Sequence, residues 1–378
     1  MTLVWLTVFP ILGGVLAWAV GKAGAAASRT VSIVTLLTMT VMAFGYIPAA
    51  LSGVRTMDEV SAPWIERLGI SFSLHLDGLS LPLIILSILL SIVAVVVSGR
   101  SIKERAGAYH FNILWVLSGT IGVFLARDLF LFFFFWELMV VPMAFLIAFW
   151  GGAKRHYAAT KFFIFTQASG LLMLVSIIAL AYVHYFQTGQ ISFLYDDVLG
   201  GSLGRNGLLL FGFFVAFAVK LPIAPFHAWQ ADAYTEAPLG GTIILAGFLS
   251  KTGGYGLIRF ILPLYQDAAV DLAPWAIGLG VFTLVYGAML AFAQSDLKRI
   301  IAFSSLSHMG FILIGAFAGN LYGFQGAVIF MFSHGFATSA LFIIVDMIEE
   351  RVGHRDINRM GGVAKLAPRF AGITMFFV

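Results

Sequence analysis

Phe132-Phe133-Phe134-Phe135-Trp136-Glu137-Leu138-Met139-Val140-Val141-Pro142-Met143 lies within an apolar run covering 128–150. That run is too long for a strand and apolar on every face, so it reads as a helix crossing a bilayer. Apart from Asp128 at its start, the run holds one carboxylate, Glu137, about 13 Å in at 1.5 Å per residue. A charge at such depth costs at least about 2.5–3.5 kcal/mol on insertion scales, so its presence needs a reason.

The rest of the chain agrees with that reading. Of 378 residues, 60% are hydrophobic and 11% are charged. Soluble domains carry about 25% charged residues, and so few charges could not cover a water-soluble globule of this length. The mean hydropathy is +0.98, with 37 Phe and 40 Gly. A soluble enzyme, a disordered chain, a coiled coil and a nucleic-acid binder are excluded, and a transmembrane barrel would alternate apolar with polar residues. The expected class is all-α, a polytopic membrane helical bundle. With no cysteine, the chain offers no disulfide, zinc-thiolate or iron–sulfur ligation.

Apolar runs bounded by charged or turn residues give eleven complete spans: 2–20, 30–51, 79–98, 110–126, 128–150, 161–185, 206–226, 240–263, 274–294, 299–318 and 323–348. A twelfth starts near Pro368. The first lacks a basic n-region and is followed by further spans, so it reads as an anchor. The loop 52–78 alternates over Ser71-Phe72-Ser73-Leu74-His75-Leu76-Asp77 and reads as a short hairpin on the membrane surface. Fifteen Lys and Arg fall in one set of alternate loops, including Lys22, Arg100, Lys154, Arg299 and Arg355. Five fall opposite: Arg55, Arg67, Arg127, Arg205 and Arg259. The positive-inside rule then puts the N-terminus outside a bacterial cytoplasmic membrane. A weak internal echo occurs at an offset of 168: Gly119 with Gly287, and Asp128-Leu129 with Asp296-Leu297.

Five titratable groups lie within spans: Glu137, Lys220, Lys251, His308 and His334. Each has a structural reading: Glu137 as half of a static ion pair, Lys220 snorkelling, the histidines as neutral core groups. As a set on five different spans they are a poor way to stabilise a bundle, and they are what a proton relay requires. Burial disfavours the charged form of lysine and glutamate alike, while their mutual attraction favours it. A Glu–Lys pair of variable separation is therefore a switch that holds or releases a proton.

Span 7 ends in Lys220-Leu221-Pro222-Ile223-Ala224-Pro225-Phe226-His227-Ala228-Trp229. Pro222 and Pro225 each remove a backbone donor and break the helix beside Lys220. The alternative is a simple proline kink, but broken helices in membranes line cavities and mark ion sites. Asp232 and Glu236 follow, in a stretch without Lys or Arg that reads as a loop. They form an acidic mouth for proton entry or an ordinary solvated segment. Span 8 carries Ser250-Lys251-Thr252-Gly253-Gly254, whose glycines allow close helix approach. No phosphate loop, metal-ligand set or nucleophilic triad is visible, so no cofactor or metal is expected on this chain.

These segments resemble the antiporter-like membrane subunits of respiratory complex I, which also occur in Mrp sodium/proton antiporters and membrane-bound hydrogenases. Phe135 through Met143, Ala159-Thr160-Lys161-Phe162-Phe163-Ile164-Phe165-Thr166-Gln167-Ala168-Ser169-Gly170, Lys220 through Trp229, Ser250 through Gly253 and Ser304-Ser305-Leu306-Ser307-His308-Met309-Gly310 carry the resemblance. It spans essentially the whole chain and is greatest to the M-type subunit of NADH–quinone oxidoreductase. The resemblance implies 14 helices with two inverted five-helix repeats, spans 4–8 and 9–13. That divides this chain into 1–109, 110–263 and 264–378. It also implies that Glu137 pairs with Lys220, that Lys251 passes protons onward, and that His308 and His334 lie on a central polar axis. Redox chemistry would belong to neighbouring subunits, with no flavin, cluster or quinone site here.

Three functions follow as expectations. The first is a proton-translocating subunit of a redox-driven NADH–quinone oxidoreductase. The second is a subunit of an Mrp-type cation/proton antiporter or membrane-bound hydrogenase, and the third a scaffold with a relic axis. Genome neighbours separate the first two, and proton movement in the reconstituted complex tests the third. Further chain is also expected beyond Val378, because the apolar segment from Pro368 ends after about ten residues where a span needs about 20. Adding 168 to Lys220 gives 388, so a second broken helix would lie there. Intact mass near 41.0 kDa would argue against this.

Overall fold

The computed structural model describes residues 1–199 and 207–377. Arg205, residue 206 at the expected start of span 7, and Val378 lie outside the described residues. Among the described residues, helix falls within each expected span, continuous in some and broken in others. Nine helices among the described residues are long and apolar enough to cross a bilayer. Span 4, Ala106–Leu125, is the most enclosed, and spans 1, 3 and 5 pack around it. Span 5 is Leu129–Trp150, started by Asp128, whose carboxylate accepts from the Phe130 and Leu131 amides at 2.8 and 3.0 Å.

Several bounds differ from the sequence reading. The second helix, Ala25–Phe44, stops early, and Pro48 opens a separate short helix, Ile47–Leu51. Span 6 runs over Arg155–Thr188 and span 11 over Leu321–Val352, each longer than the hydrocarbon requires. Both end on a left-handed glycine, Gly189 and Gly353. Spans 9 and 10 are Gln266–Phe292 and Leu297–Phe317, and the twelfth segment is Pro368–Phe377.

Span 7, Gly207–Lys220, ends at the lysine. Pro222 and Pro225 have no N–H, so the helix cannot continue, and the freed groups find other partners. The Trp229 indole donates to Val219 O at 3.0 Å, and the Ala224 amide to Thr283 Oγ1 of span 9 at 3.2 Å. The chain then forms a short helix, Gln230–Glu236. Span 8 is not the continuous helix the hydrophobic run suggests. It alternates α-turns, Leu239–Ile244 and Lys251–Gly256, with π-turns, Leu245–Leu249 and Leu257–Ile261. Ser250 N bonds Leu245 O at 3.2 Å, five residues back. Gly253 is what brings it against span 7: a Cβ there would fall 2.6 Å from both Leu221 N and Phe217 O.

The 168-residue echo extends to contacts. A Cβ on Gly119 would meet the Met139 backbone, and one on Gly287 the Ser307 backbone, again 168 residues on. Asp296 caps span 10 through the Arg299 amide at 3.1 Å, as Asp128 caps span 5.

The 52–78 loop holds a two-stranded antiparallel hairpin, β1 Thr56–Ile65 and β2 Ile70–Asp77, turning at left-handed Gly69. Two clamps fix it. Asp128 accepts from Ser71 N at 2.9 Å with its second oxygen. Asp77 takes Arg259 Nη2 of span 8 at 2.5 Å. Burial works to raise the Asp77 carboxyl, but the Arg259 charge and hydrogen bond, with the Ser80 amide, outweigh it and hold the group below its ordinary value of 3.8.

Replacing Asp128 with Ala removes a cap and strands three amides, so we expect a loss of about 1–3 kcal/mol, read by thermal unfolding and by protease cutting at the Glu66–Gly69 turn. A carboxyl depressed in the native state contributes stability above its unfolded value and loses it as pH falls through the native value. Hairpin docking should therefore weaken as pH drops below 3.8, measured as faster cutting at the same turn. Asp77→Asn should remove that acid dependence.

Candidate functional site: buried charged and polar groups

Glu137 and Lys220 approach the bundle interior from spans 5 and 7. Lys220 is 1% exposed. Its Nζ has no hydrogen-bond partner among the described residues. It sits instead over the Trp136 ring at 5.2 Å and the Phe162 ring at 5.8 Å from their centroids. Aromatic faces attract a cation while leaving its protons undirected. Glu137 Oε1 is likewise buried without a partner. It occupies the space that a side chain at Gly170 of span 6 would fill, with Gln167 of the same helix beside it. The two charges act on each other electrostatically, but no ion-pair contact closes between them.

Lys251 is fully bonded. The π-turn leaves Ala246 O free to accept from its Nζ, Ser250 Oγ lies at 3.3 Å, and His334 Nδ1 at 2.8 Å. His334 Nε2 is 3.1 Å from Thr338 Oγ1, one turn further along span 11. The His308 ring of span 10 stands edge-on to His334, with 5.5 Å between centroids. The structure thus joins Lys251, His334 and His308 in one contact row and sets Glu137 opposite Lys220. A lysine that shares a hydrogen bond with an imidazole can pass it a proton without moving.

Asp232 and Glu236 differ from the sequence reading. They lie on the helix Gln230–Glu236 rather than a loop, and groups from other elements reach them, cations at Asp232 and a backbone amide at Glu236. Lys161 Nζ is 2.7 Å and Arg299 Nη1 3.1 Å from Asp232, and Glu236 Oε2 accepts from the Lys154 amide at 2.8 Å. The local absence of Lys and Arg did not reveal partners supplied from 67 to 82 positions away. Thr338 was legible in principle, four residues after His334 on one helix face. Nothing local signals the Arg259–Asp77 pair, 182 positions apart. Among the described residues no cluster of three or more His, Asp or Glu is placed to hold a metal.

Residues 126–378 match the family model described as NADH:quinone oxidoreductase/Mrp antiporter, TM. The chain is 46% identical over 391 aligned positions to NADH-quinone oxidoreductase subunit M of Escherichia coli K12, covering 100% of this chain and 77% of that protein. The subunit M of Pseudomonas aeruginosa is also 46% identical, over 393 positions with the same coverage. Among solved structures, respiratory complex I from Thermus thermophilus with bound NADH matches with a TM-score of 0.88 and 26% identity, over 100% of this chain and 77% of that one. The Mrp complex from Dietzia shares the fold, with a TM-score of 0.85 at 21% identity over 99% of this chain and 69% of that one. With the buried lysines and the broken seventh span in place, these matches show that the chain belongs to the NADH:quinone oxidoreductase/Mrp antiporter transmembrane family.

Proposed function

We propose that this chain is a proton-translocating membrane subunit of a redox-driven NADH–quinone oxidoreductase, with electron transfer left to neighbouring subunits. Forty-six per cent identity to chains named subunit M supports that assembly over a free-standing antiporter. In this reading its partners are antiporter-like membrane neighbours and the cargo is the proton. The N-terminus faces outward, with the Lys22 and Lys154 side in the cytoplasm. Residues 110–263 form one five-helix repeat and 264–378 part of a second of inverted topology, consistent with the matched contacts at Gly119 and Gly287.

The observation carrying the proposal is the contrast between the two lysines. Lys251 is hydrogen-bonded into a row of exchangeable groups, whereas Lys220 has only aromatic faces and a detached carboxylate. Drawing Glu137 toward Lys220 stabilises the ammonium, and withdrawing it leaves a charge without compensation in a low-dielectric interior, which favours proton release. The released proton passes toward Lys251, His334 and His308. Protons reach Lys220 past Asp232 and Glu236 when the Lys161–Asp232 pair opens. The Pro222–Pro225 break gives the span the freedom that this movement needs.

Glu137→Gln or Lys220→Ala, each in the assembled complex in proteoliposomes, should abolish or greatly reduce proton pumping while the complex still assembles. Normal pumping by both would refute the switch. Lys251→Ala should also impair pumping with assembly intact, and loss of assembly alone would assign it a structural role.

A further inference from the structure

Since Asp232 and Glu236 are already engaged, the unpaired acids on the cytoplasmic side carry more weight. Asp346 and Glu350 stand one turn apart near the end of span 11. With Arg100, Ser101, Leu239 and Ile343 they line a cavity of about 260 Å³ between spans 3, 8 and 11. Neither carboxylate has a hydrogen bond or salt bridge among the described residues, unlike Asp232. The charges facing Asp346 are Lys298 from span 10, Arg100 from the turn after span 3, and Glu349 and Glu350 on its own helix.

Below the cavity, span 11 leads directly to the relay. Ile343 forms part of the lining, and Ser339 lies one turn deeper. Ser339 is 1% exposed, and its hydroxyl has no partner among the described residues. It faces Gly247 on the π-turn of span 8, the same turn that frees Ala246 O for Lys251. The next residue, Thr338, bonds His334, and His334 bonds Lys251. From Asp346 to Thr338 is about 12 Å along the helix, at 1.5 Å per residue. A buried hydroxyl without a partner is the kind of group that holds an ordered water.

We propose that this cavity is a second proton-uptake site, in which Asp346 and Glu350 collect protons from the cytoplasm and deliver them past Ser339 and Thr338 to His334 and Lys251. It rests on the relay reading above: its protons enter that relay at Lys251, and their onward transfer still depends on the Glu137–Lys220 switch. Each transfer conserves protons. A water above Thr338 gives one to its hydroxyl, which gives its own to His334 Nε2. His334 Nδ1 then passes one to the neutral Lys251 amine, which leaves the ring as the opposite tautomer, protonated at Nε2, so the ring must exchange tautomers before the next transfer.

The chain has no cysteine, so one placed at 339 is its only thiol. In the assembled complex, Ser339→Cys should react with a membrane-impermeant methanethiosulfonate added from the cytoplasmic face, read as added mass on this chain. Ser118→Cys, in a site packed against Thr7 O, should stay unmodified. Asp346→Asn with Glu350→Gln should lower pumping roughly ten-fold or more with assembly unchanged, the scale of losing a positioned proton carrier. The site is refuted if Ser339→Cys is unreactive or reacts only from the outer face. It is also refuted if the double variant pumps as the parent does while Glu137→Gln does not. Parent-level pumping by Glu137→Gln would instead overturn the relay on which this site rests.

Discussion

Ending a helix inside a bilayer strands backbone carbonyls that water cannot reach, and span 7 does this beside a buried ammonium. Much of the neighbouring structure answers that constraint. Trp229 folds back to cap Val219 O, Thr283 receives the Ala224 amide, and Gly253 lets span 8 lie against Phe217 and Leu221. With each of these groups satisfied, the break is a stable feature, and Lys220 Nζ is left beside it without a hydrogen bond among the described residues.

Span 8 solves the opposite problem. Its π-turn misaligns the helical ladder so that one carbonyl, Ala246 O, is available to Lys251. π-turns recur at functional positions because they expose backbone groups inside an otherwise closed helix. The two lysines are thus held by different means, one by aromatic faces and the other by oxygen and nitrogen acceptors. A fully bonded group can conduct, and a group without partners can switch. Away from the two lysines, the Asp232 ion pairs and the two hairpin clamps tie spans 6, 10 and 8 to their neighbours at either end of the bundle.

Much of this was legible in the sequence. The apolar runs gave the spans, because backbone in a bilayer has few alternatives to helix. Pro222 and Pro225 located the break, and the rarity of intramembrane charge singled out Glu137, Lys220 and Lys251. What escaped depends on distant partners. The Asp232 stretch looked free because Lys161 and Arg299 come from other helices. The π-turns escaped because hydrophobic patterning cannot distinguish them from α-helix. Span 6 outran its expected ends because polar turns can continue a helix beyond the hydrocarbon, where composition no longer marks the boundary.

The central claim is that Glu137–Lys220 and Lys251–His334 act in series. It is tested most directly by comparing the protons moved per electron in the assembled complex carrying Glu137→Asp, Lys251→Arg or both. In a series path a shared step limits transport, so the account predicts that the double variant loses no more than the worse single variant. Losses that combine independently would contradict it, because the two pairs would then serve separate routes.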